Sequence, residues 1–394
     1  MSRCWRNKCG QRQTRASPSR KATPKISLLP DQPASLVVFS RRLLSRMPAM
    51  PPIDVVIPVY NAPALTRRCI DSVVACLSPS IRFIFIQDDA SGMETHAMLD
   101  QLPRGRIRVH HARENQGFGA SVNEAISRSD ACYVLVLNSD TVVGEDFLPL
   151  LYATLVADSR LAVIIPAGND FAGYDLNRYV RQPGGYVQTH RLRGHAFLIR
   201  REVFRDANGF DLAFGRGYYE DVDLGRRLNK RGWRVGVHPD AHIQHEGGGS
   251  FGRGRSFKKL VRRNRKLFFS RHPSAKRNIL LLSGDCPLAY FPSSLLEALD
   301  EVFCGGGYVY WLSPEAAGML LCLQMRSLLS GVDAAVRLFL CSWREDKRIS
   351  EIWILPDVPR VRYEALTLWA RICGLRILTW ERVPTEENCT PRLL

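Results

Sequence analysis

Along much of this chain, short apolar runs alternate with segments in which apolar residues have helical spacing. Residues 53–58 are β-branched and apolar, as in a buried parallel strand, and residues 63–77 place apolar side chains at helical spacing. The pattern then repeats, with three more strand-like runs and one more helical segment at residues 81–86, 106–110, 133–137 and 117–128. Such alternation predicts βαβ units, and therefore an α/β fold with a mostly parallel sheet covered by helices.

Polar clusters follow three of these strands directly. They are Pro58-Val59-Tyr60-Asn61, Asp88-Asp89-Ala90-Ser91 and Asn138-Ser139-Asp140-Thr141. One aspartate after a strand is usually a turn or capping residue. Ligands of open parallel sheets bind where the carboxyl ends of the strands meet, so three such clusters predict one shared crevice.

The pattern changes after residue 165 and resumes near the C-terminus. A predicted strand at 194–200, a helix at 219–231 and a strand at 235–238 complete a first domain at residues 51–275. Residues 276–394 predict a second, smaller α/β domain, with strands at 279–282, 308–312, 351–355 and 376–379 and helices at 293–303, 315–341 and 362–373. We find no chemical motif in this second domain, so packing or assembly is the role we expect for it.

The net charge of +17 is concentrated at the N-terminus, where residues 1–46 hold eleven Lys and Arg and a single acid, Asp31. This segment has too few apolar side chains to offset the entropy of ordering, so we predict a disordered basic tail at residues 1–50. Two alternatives stay open for it. The tail is a basic arm for nucleic acid, or translation starts at Met47 or Met50 and the tail is not made.

The cysteines and the apolar runs bear on location. Eleven cysteines are present, an odd number, with no Cys-x-x-Cys pair and with most of them inside apolar segments. Buried free thiols in a reducing compartment explain this pattern more simply than disulfides or zinc. No apolar run approaches the roughly 20 residues that span a bilayer, and no secretory signal is recognised. We therefore expect a cytoplasmic protein.

The ordered motifs of residues 53–252 resemble the family 2 glycosyltransferases, which have the GT-A fold, a Rossmann-like α/β fold. Within that family they look most like the rhamnosyltransferase-like branch of bacterial surface-polysaccharide enzymes. The resemblance is carried by Val56-Ile57-Pro58-Val59-Tyr60-Asn61, Asp88-Asp89-Ala90-Ser91, Asn115-Gln116-Gly117-Phe118-Gly119-Ala120 with Asn123, Leu137-Asn138-Ser139-Asp140-Thr141, Gly209-Phe210-Asp211, Glu220-Asp221-Val222-Asp223-Leu224, Gly232-Trp233-Arg234-Val235 and His245.

The resemblance implies a nucleotide-diphosphate sugar as donor, with UDP or dTDP as the nucleotide. The donor-binding positions that it implies are Pro58, Tyr60, Asn61, Asp88, Asp89, Gly117, Asn123, Asn138 and Asp140. Asp140 and His245 match the positions of metal ligands, and an oxygen-plus-imidazole site suits Mn²⁺ or Mg²⁺. Asn138 replaces an aspartate found in many relatives, and we place it outside the metal's first coordination shell because a neutral amide binds cations weakly.

The acidic pair Glu220 and Asp221 matches the position of the family's catalytic acids. An inverting transfer needs a carboxylate that accepts the proton of the attacking hydroxyl. We expect Asp221 to be this base, with Glu220 as the alternative. Asp223 and His195 are weaker candidates on the acceptor side, and Asp223 also suits a structural ion pair. Without the other motifs, an acidic first helical turn favoured by the helix dipole would explain these acids.

The basic stretch at residues 253–277 allows two interpretations. Its Lys and Arg side chains, interleaved with Phe and Leu, could form an amphipathic helix on an anionic membrane surface. They could equally be a solvated surface. Nucleic acid is not an expected partner here, because no known binding module accompanies the charge.

Together these features predict an inverting, metal-dependent sugar transferase acting on a glycan or lipid-linked glycan, at the inner face of the membrane if residues 253–277 contact it. The alternative is a non-catalytic carbohydrate- or partner-binding protein on a decayed GT-A scaffold. Asn138 and the second domain without motifs favour that alternative. The retention of Asp88, Asp140, Asp221 and His245 counts against it.

Overall fold

The computed structural model describes residues 49–247, 254–284, 286–313, 318–329, 347–356 and 358–380. Residues 1–48, which hold nearly all of the predicted basic tail, lie outside these ranges, so disorder there stays a prediction.

The elements up to residue 271 are, in chain order, β1 (Ile53–Val59), α1 (Pro63–Leu77), β2 (Ile81–Asp88), α2 (Met93–Asp100), β3 (Ile107–His111), α3 (Phe118–Arg128), β4 (Tyr133–Leu137), β5 (Thr141–Val143), α4 (Leu148–Ala157), β6 (Leu161–Gly168), β7 (Val187–Thr189), β8 (Ala196–Arg200), α5 (Arg201–Asp206), α6 (Glu220–Lys230), β9 (Arg234–His245) and α7 (Arg255–Arg271).

The later elements are β10 (Ile279–Leu282), α8 (Ser293–Gly305), β11 (Val309–Ser313), β12 (Met325–Leu329), β13 (Glu351–Ile354), α9 (Arg360–Cys373) and β14 (Arg376–Thr379).

Within the described residues, the first sheet has nine strands, in the order β3-β2-β1-β4-β8-β6-β9-β5, with β7 paired to β9. Strands β3, β2, β1 and β4 run parallel, as the βαβ pattern predicts, and β6 also runs parallel to β9. Strand β8 is antiparallel to both β4 and β6. The predicted α/β class is confirmed, and β8 makes the first sheet a mixed one.

Helix α1 shows how the local sequence builds this layer. Pro63 stands in its first turn, where its missing N–H costs nothing. The buried positions Thr66, Cys69, Ile70, Val73 and Leu77 repeat every three or four residues and cover one face of the sheet. Strand β1 is buried along its whole length, so it lies in the centre of the core.

The second sheet has five parallel strands in the order β12-β11-β10-β13-β14. Strand β12 corrects our prediction of a helix over residues 315–341, of which 315–317 and 330–341 lie outside the described ranges. Met325–Leu329 pairs in parallel with Val309–Ser313. A short apolar run fits a strand or a buried helix equally well, and here a neighbouring strand decided the outcome.

Hydrogen bonds join the two sheets along a line of contact that we call the seam. Backbone N–H groups of Val180 and Leu323 donate to the carbonyls of Leu320 (2.8 Å) and Gln188 (3.1 Å). The N–H of His190 donates to the side-chain oxygen of Gln324 at 2.8 Å. One hydrophobic cluster includes buried side chains of both sheets and of α6 and α8, which pack together. The boundary between residues 275 and 276 stays a prediction.

Candidate active site

A cavity of about 930 Å³ opens at the carboxyl ends of β1 and β4. The chain runs from β1 toward β3 on one side of this point and continues with β4 on the other. Such a switch in strand order leaves a crevice in which ligands bind. The lining comes from both sheets, from the segment before α6 and from the start of α6.

Most of the predicted site residues line this cavity. They are Pro58, Tyr60, Asp89, Asn138, Asp140, His195, Glu220, Asp221 and His245. The expected convergence of the three strand-end clusters is therefore observed, because each cluster contributes at least one lining residue. The chemical roles of these residues remain predictions.

Two of the predicted donor-binding residues stand beside the cavity rather than in its lining. Asp88 is fully buried and accepts hydrogen bonds from the N–H of Ser91 (3.1 Å) and from Nδ1 of His111 (2.6 Å). The side-chain oxygen of Asn61 accepts from the N–H of Gly92 at 2.9 Å. These bonds hold the turns that follow β1 and β2, next to Tyr60 and Asp89.

Asn123 and Asp223 also lie outside the lining, and both bond to other parts of the protein. Asn123 exchanges two hydrogen bonds of 2.8 Å with the backbone of Phe210. Asp223 accepts from Arg227 at 2.7 Å and from His272 at 2.8 Å. The structure therefore gives Asp223 the ion pair that the sequence allowed, and an acceptor-side role for it stays a prediction.

Asp89 connects the cavity to the glycine motif of α3. Its two carboxylate oxygens accept from the N–H groups of Gln116 (2.7 Å) and Gly117 (2.8 Å). Gly117 has φ +94°, and a Cβ there would lie 2.4 Å from the Cα of Arg216. Only glycine fits this close approach of two backbones. Gly117 thus shapes the wall, although it does not line the cavity.

The segment before α6 has an unusual backbone. Tyr218 and Tyr219 are consecutive and both have positive φ, 73° and 77°. Left-handed backbone is costly for bulky residues and persists only where the surroundings enforce it. Here the buried amide of Asn264, on α7, donates to the carbonyls of Phe214 (2.6 Å), Gly217 (2.8 Å) and Tyr218 (3.0 Å). This clamp fixes where α6 begins.

The acids that follow differ in their surroundings. Both carboxylate oxygens of Asp221 accept backbone bonds, from Gly194 (2.9 Å) and Val222 (2.7 Å). Burial raises the pKa of Asp221, and the charge of Arg191 opposes that rise. Burial and the charge of Asp221 raise the pKa of Glu220 to about 8. At neutral pH the Glu220 carboxyl is therefore mostly protonated, whereas the Asp221 carboxylate is held in one orientation by two backbone N–H groups.

A second cluster could hold a metal ion. Ligand atoms of Asp170, His195 and His245 all lie within 4.8 Å of one another. Nε2 of His245 is 3.2 Å from Asp140, and its Nδ1 is 2.7 Å from Asp170. Burial lowers the pKa of His195 to about 4, so its imidazole is neutral. Burial also disfavours the charge on His245, but hydrogen bonds to Asp140 and Asp170 raise its pKa to about 9.

Polar atoms without partners are concentrated in this cavity. Seven buried side-chain N and O atoms of the described residues have no hydrogen-bond partner. Five of them belong to cavity residues, namely Asn115, Asn138, His195, Glu220 and Arg226. Buried polar groups are normally paired, so this concentration indicates a site whose partners come from a polar ligand.

The sequence analysis missed several lining residues. Asp170 follows the end of β6, so the same strand-end argument could have found it. Arg191 and Arg226 belong to no motif, and nothing in the sequence pattern singles them out. Tyr308 and Gln324 were missed because the second sheet was expected to be remote from the chemistry, yet both line the cavity.

Family models match the part of the chain that builds most of this cavity. Residues 54–208 match the model described as Glycosyl transferase family 2, and residues 170–268 match Glycosyltransferase like family 2. The protein thus contains a sugar-transferase type of domain. More narrowly, both models describe glycosyltransferase family 2, which confirms the resemblance.

Individual relatives match shorter stretches. The O-antigen biosynthesis protein RfbC of Myxococcus xanthus is 27% identical over 210 residues, 47% of this chain and 16% of that protein. An N-acetylglucosaminyl-diphospho-decaprenol L-rhamnosyltransferase of Mycobacterium tuberculosis is 44% identical over 62 residues, 16% of this chain and 20% of that protein. The chain thus spans well under half the length of these relatives.

Among solved structures, the mannosyltransferase PcManGT of Pyrobaculum calidifontis, in complex with GDP-Man and Mn²⁺, aligns with a TM-score of 0.46 at 15% identity. The alignment covers 60% of this chain and 70% of that one.

None of the helices in the described ranges has both the length and the apolar character needed to cross a bilayer.

Proposed function

We propose that the chain transfers a sugar, with inversion and with the help of a divalent metal, from a nucleotide-diphosphate sugar to a glycan or lipid-linked glycan in surface-polysaccharide synthesis. The observation that carries the proposal is that one cavity holds both the acid pair Glu220 and Asp221 and His245 with its two carboxylate neighbours, Asp140 and Asp170. The family 2 domain and relatives named for O-antigen biosynthesis and rhamnosyl transfer support it.

The donor nucleotide, UDP or dTDP, is proposed to bind on the side of the cavity formed by the turns after β1 and β2. Pro58 and Tyr60 line that side, and Asp89 holds the adjoining turn. Asp88 and Asn61 act on the donor through the turns that they brace. The unpaired amide oxygen of Asn138 is available to a donor hydroxyl.

The divalent ion is proposed to be Mn²⁺ or Mg²⁺, held by Asp140 and His245. The donor set fits such an ion, because Nε2 of His245 lies 3.2 Å from Asp140, ligand atoms of Asp170, His195 and His245 lie within 4.8 Å of one another, and Nε2 of neutral His195 has no partner. Binding of the ion would displace the proton that Asp140 and Asp170 favour on His245. When bound, the ion would stabilise negative charge on the diphosphate. Asp170 orients His245 through its bond to Nδ1 and lies close enough to join the ligand set.

The proposed chemical step is a single displacement. The acceptor hydroxyl oxygen attacks the anomeric carbon, the bond from that carbon to the diphosphate oxygen breaks, and its electron pair leaves with the nucleoside diphosphate. The hydroxyl proton passes to Asp221, whose orientation is fixed by the N–H groups of Gly194 and Val222. Glu220 is the alternative base.

Membrane contact through residues 253–277 is part of the proposal. Within that stretch, α7 exposes Lys258, Lys259, Arg262 and Lys266, a basic surface that suits an anionic leaflet. This contact would bring the cavity close to a lipid-linked acceptor at the inner face of a membrane, and we propose a cytoplasmic location on that basis.

Calorimetry tests the donor site directly. UDP and dTDP are titrated with and without Mn²⁺ into the wild type, into Asp140→Ala and into Asp71→Ala, an exposed control outside the cavity. We expect metal-dependent binding that is lost in Asp140→Ala and kept in Asp71→Ala. Absence of binding by folded wild type would contradict the proposal.

The amide at Asn138 favours a second candidate, a non-catalytic carbohydrate- or partner-binding protein on a decayed scaffold. A neutral amide at this position would weaken a metal site and with it the stabilisation of the leaving group. The same titration separates the two candidates. A folded protein that binds glycans, but neither nucleotide in the presence of Mn²⁺, would support the second one.

A further inference from the structure

Arg226 is a buried cation that faces the cavity without a full set of partners. It lies on α6, is 7% exposed and lines the cavity. Its Nε has no hydrogen-bond partner among the described residues, and Nη2 donates to Oγ of Ser274 at a long 3.3 Å. Burying a guanidinium without partners destabilises the folded protein, so we infer that a bound group completes the hydrogen bonds of Arg226.

The neighbouring side chains do not neutralise this charge. Burial lowers the pKa of Arg226, and the one group that opposes this is the thiol of Cys304. Burial raises the pKa of Cys304 itself to about 12, so the thiol stays neutral. The nearby acid on the same helix, Asp223, is already bonded to Arg227 and His272.

A second cation stands at the same end of the second sheet. Arg191 lines the cavity, and while burial lowers the pKa of its guanidinium, the neighbouring Tyr308 and Asp221 raise it. Two residues before Tyr308, Gly306 lies beside Arg226, because a Cβ there would be in ordinary contact with the Arg226 Cδ at 3.7 Å. The side chains of Arg191 and Arg226 therefore both lie near the segment that leads into β11.

The position of Arg226 relative to the acids defines what it can touch. Arg226 follows Glu220 by six residues on one helix, a distance of about 9 Å along the axis. The nucleotide side of the cavity, at Pro58 and Tyr60, belongs to the first sheet. A ligand group that meets Arg226 would therefore lie away from the nucleotide side, and we assign this group to the acceptor.

We propose that Arg226, together with Arg191 and Tyr308, forms an anion subsite that binds a phosphoryl group of the acceptor. A phosphoryl group carries negative charge and offers several acceptor oxygens, which suit a guanidinium with an unused N–H. This inference rests on the proposed function for its biological meaning, but the subsite can be tested without donor or activity.

Binding of phosphate compounds in EDTA is the first test. Inorganic phosphate, pyrophosphate and monomeric decyl phosphate are titrated into the wild type, Arg226→Gln and Arg231→Gln, an exposed neighbour outside the cavity. Losing a charge-assisted bond should weaken binding by roughly tenfold or more in Arg226→Gln and leave Arg231→Gln unchanged. Equal affinities in both variants, or no binding to the wild type, would overturn the proposal.

The three probes separate the sources of the phosphoryl group. A dependence on Arg226 for all three indicates recognition of the phosphoryl group itself. A dependence for decyl phosphate alone indicates a lipid-linked phosphate. Asp140→Ala should keep this binding, because EDTA removes any metal. The two proposals can therefore be judged separately. Phosphate binding in EDTA tests the subsite, and nucleotide binding with Mn²⁺ tests the donor site.

Thermal stability is the second readout. Removing an unpaired buried charge should raise the Tm of ligand-free Arg226→Met, and phosphate should raise the Tm of the wild type but not of the variant. A structural arginine predicts the opposite, a lower Tm in the variant with an unchanged response to phosphate. That result, from variants that still fold, would exclude the subsite.

Discussion

Glu220 and Asp221 are neighbours in the chain, yet the structure gives them different partners. Asp221 accepts from two backbone N–H groups, whereas one oxygen of Glu220 is buried without a partner. We expect Asp221→Asn to lower the rate of sugar transfer by about 10²–10⁴-fold, because the amide cannot accept the proton. Nucleotide binding by calorimetry should be unchanged. A rate close to that of the wild type would make Glu220 the base.

Glu220 should also make stability depend on pH. Its pKa rises from 4.5 to about 8 on folding. A carboxyl with a raised pKa stabilises the fold below its unfolded pKa, and that contribution is lost as the pH rises through the folded pKa. Between pH 5 and pH 9 the Tm of Glu220→Gln should therefore increase relative to the wild type. Parallel Tm profiles would show that Glu220 titrates normally.

At the scale of elements, the start of α6 depends on α7. The amide of Asn264 bonds three carbonyls of the strained segment before the acids. Asn264→Ala should leave carbonyls without donors, lower the Tm and lower the transfer rate more than it weakens nucleotide binding. Ser270→Ala, on the exposed surface of α7, is the control. Equal behaviour of the two variants would show that the segment holds its own conformation.

Elements with a strong local pattern were the ones the sequence predicted. Helix α1 has the predicted bounds because Pro63 and the apolar spacing act within the segment itself. Strand β12 was missed because its conformation is decided by pairing with β11, which no local pattern records. The same holds in the site. Acids at strand ends could be predicted from the local pattern. Asn264 and Arg226 could not, because each forms hydrogen bonds with residues at least 46 positions away in the chain.

At the scale of the whole molecule, the second sheet belongs to the site as well as to the core. Tyr308 and Gln324 line the cavity, and buried side chains of both sheets form one hydrophobic cluster. A chain that ends at residue 275 would expose part of that cluster to water. We expect it to show a lower Tm and stronger binding of a hydrophobic dye than the full chain. An unchanged Tm would show that residues 51–275 form an independent domain.

Because residues of both sheets line the cavity, its wall affects how this protein can be engineered and how it can diverge in evolution. Where acceptor recognition resides in a separable module, specificity can be exchanged by grafting that module onto a constant catalytic part. Here the segment leading into β11 carries Gly306 and Tyr308 and touches the same helix that presents the acids. Grafting residues 276–394 from a relative would therefore change this wall of the cavity and the packing of α6 together. New specificities should arise more readily from single substitutions along the seam than from exchange of whole segments.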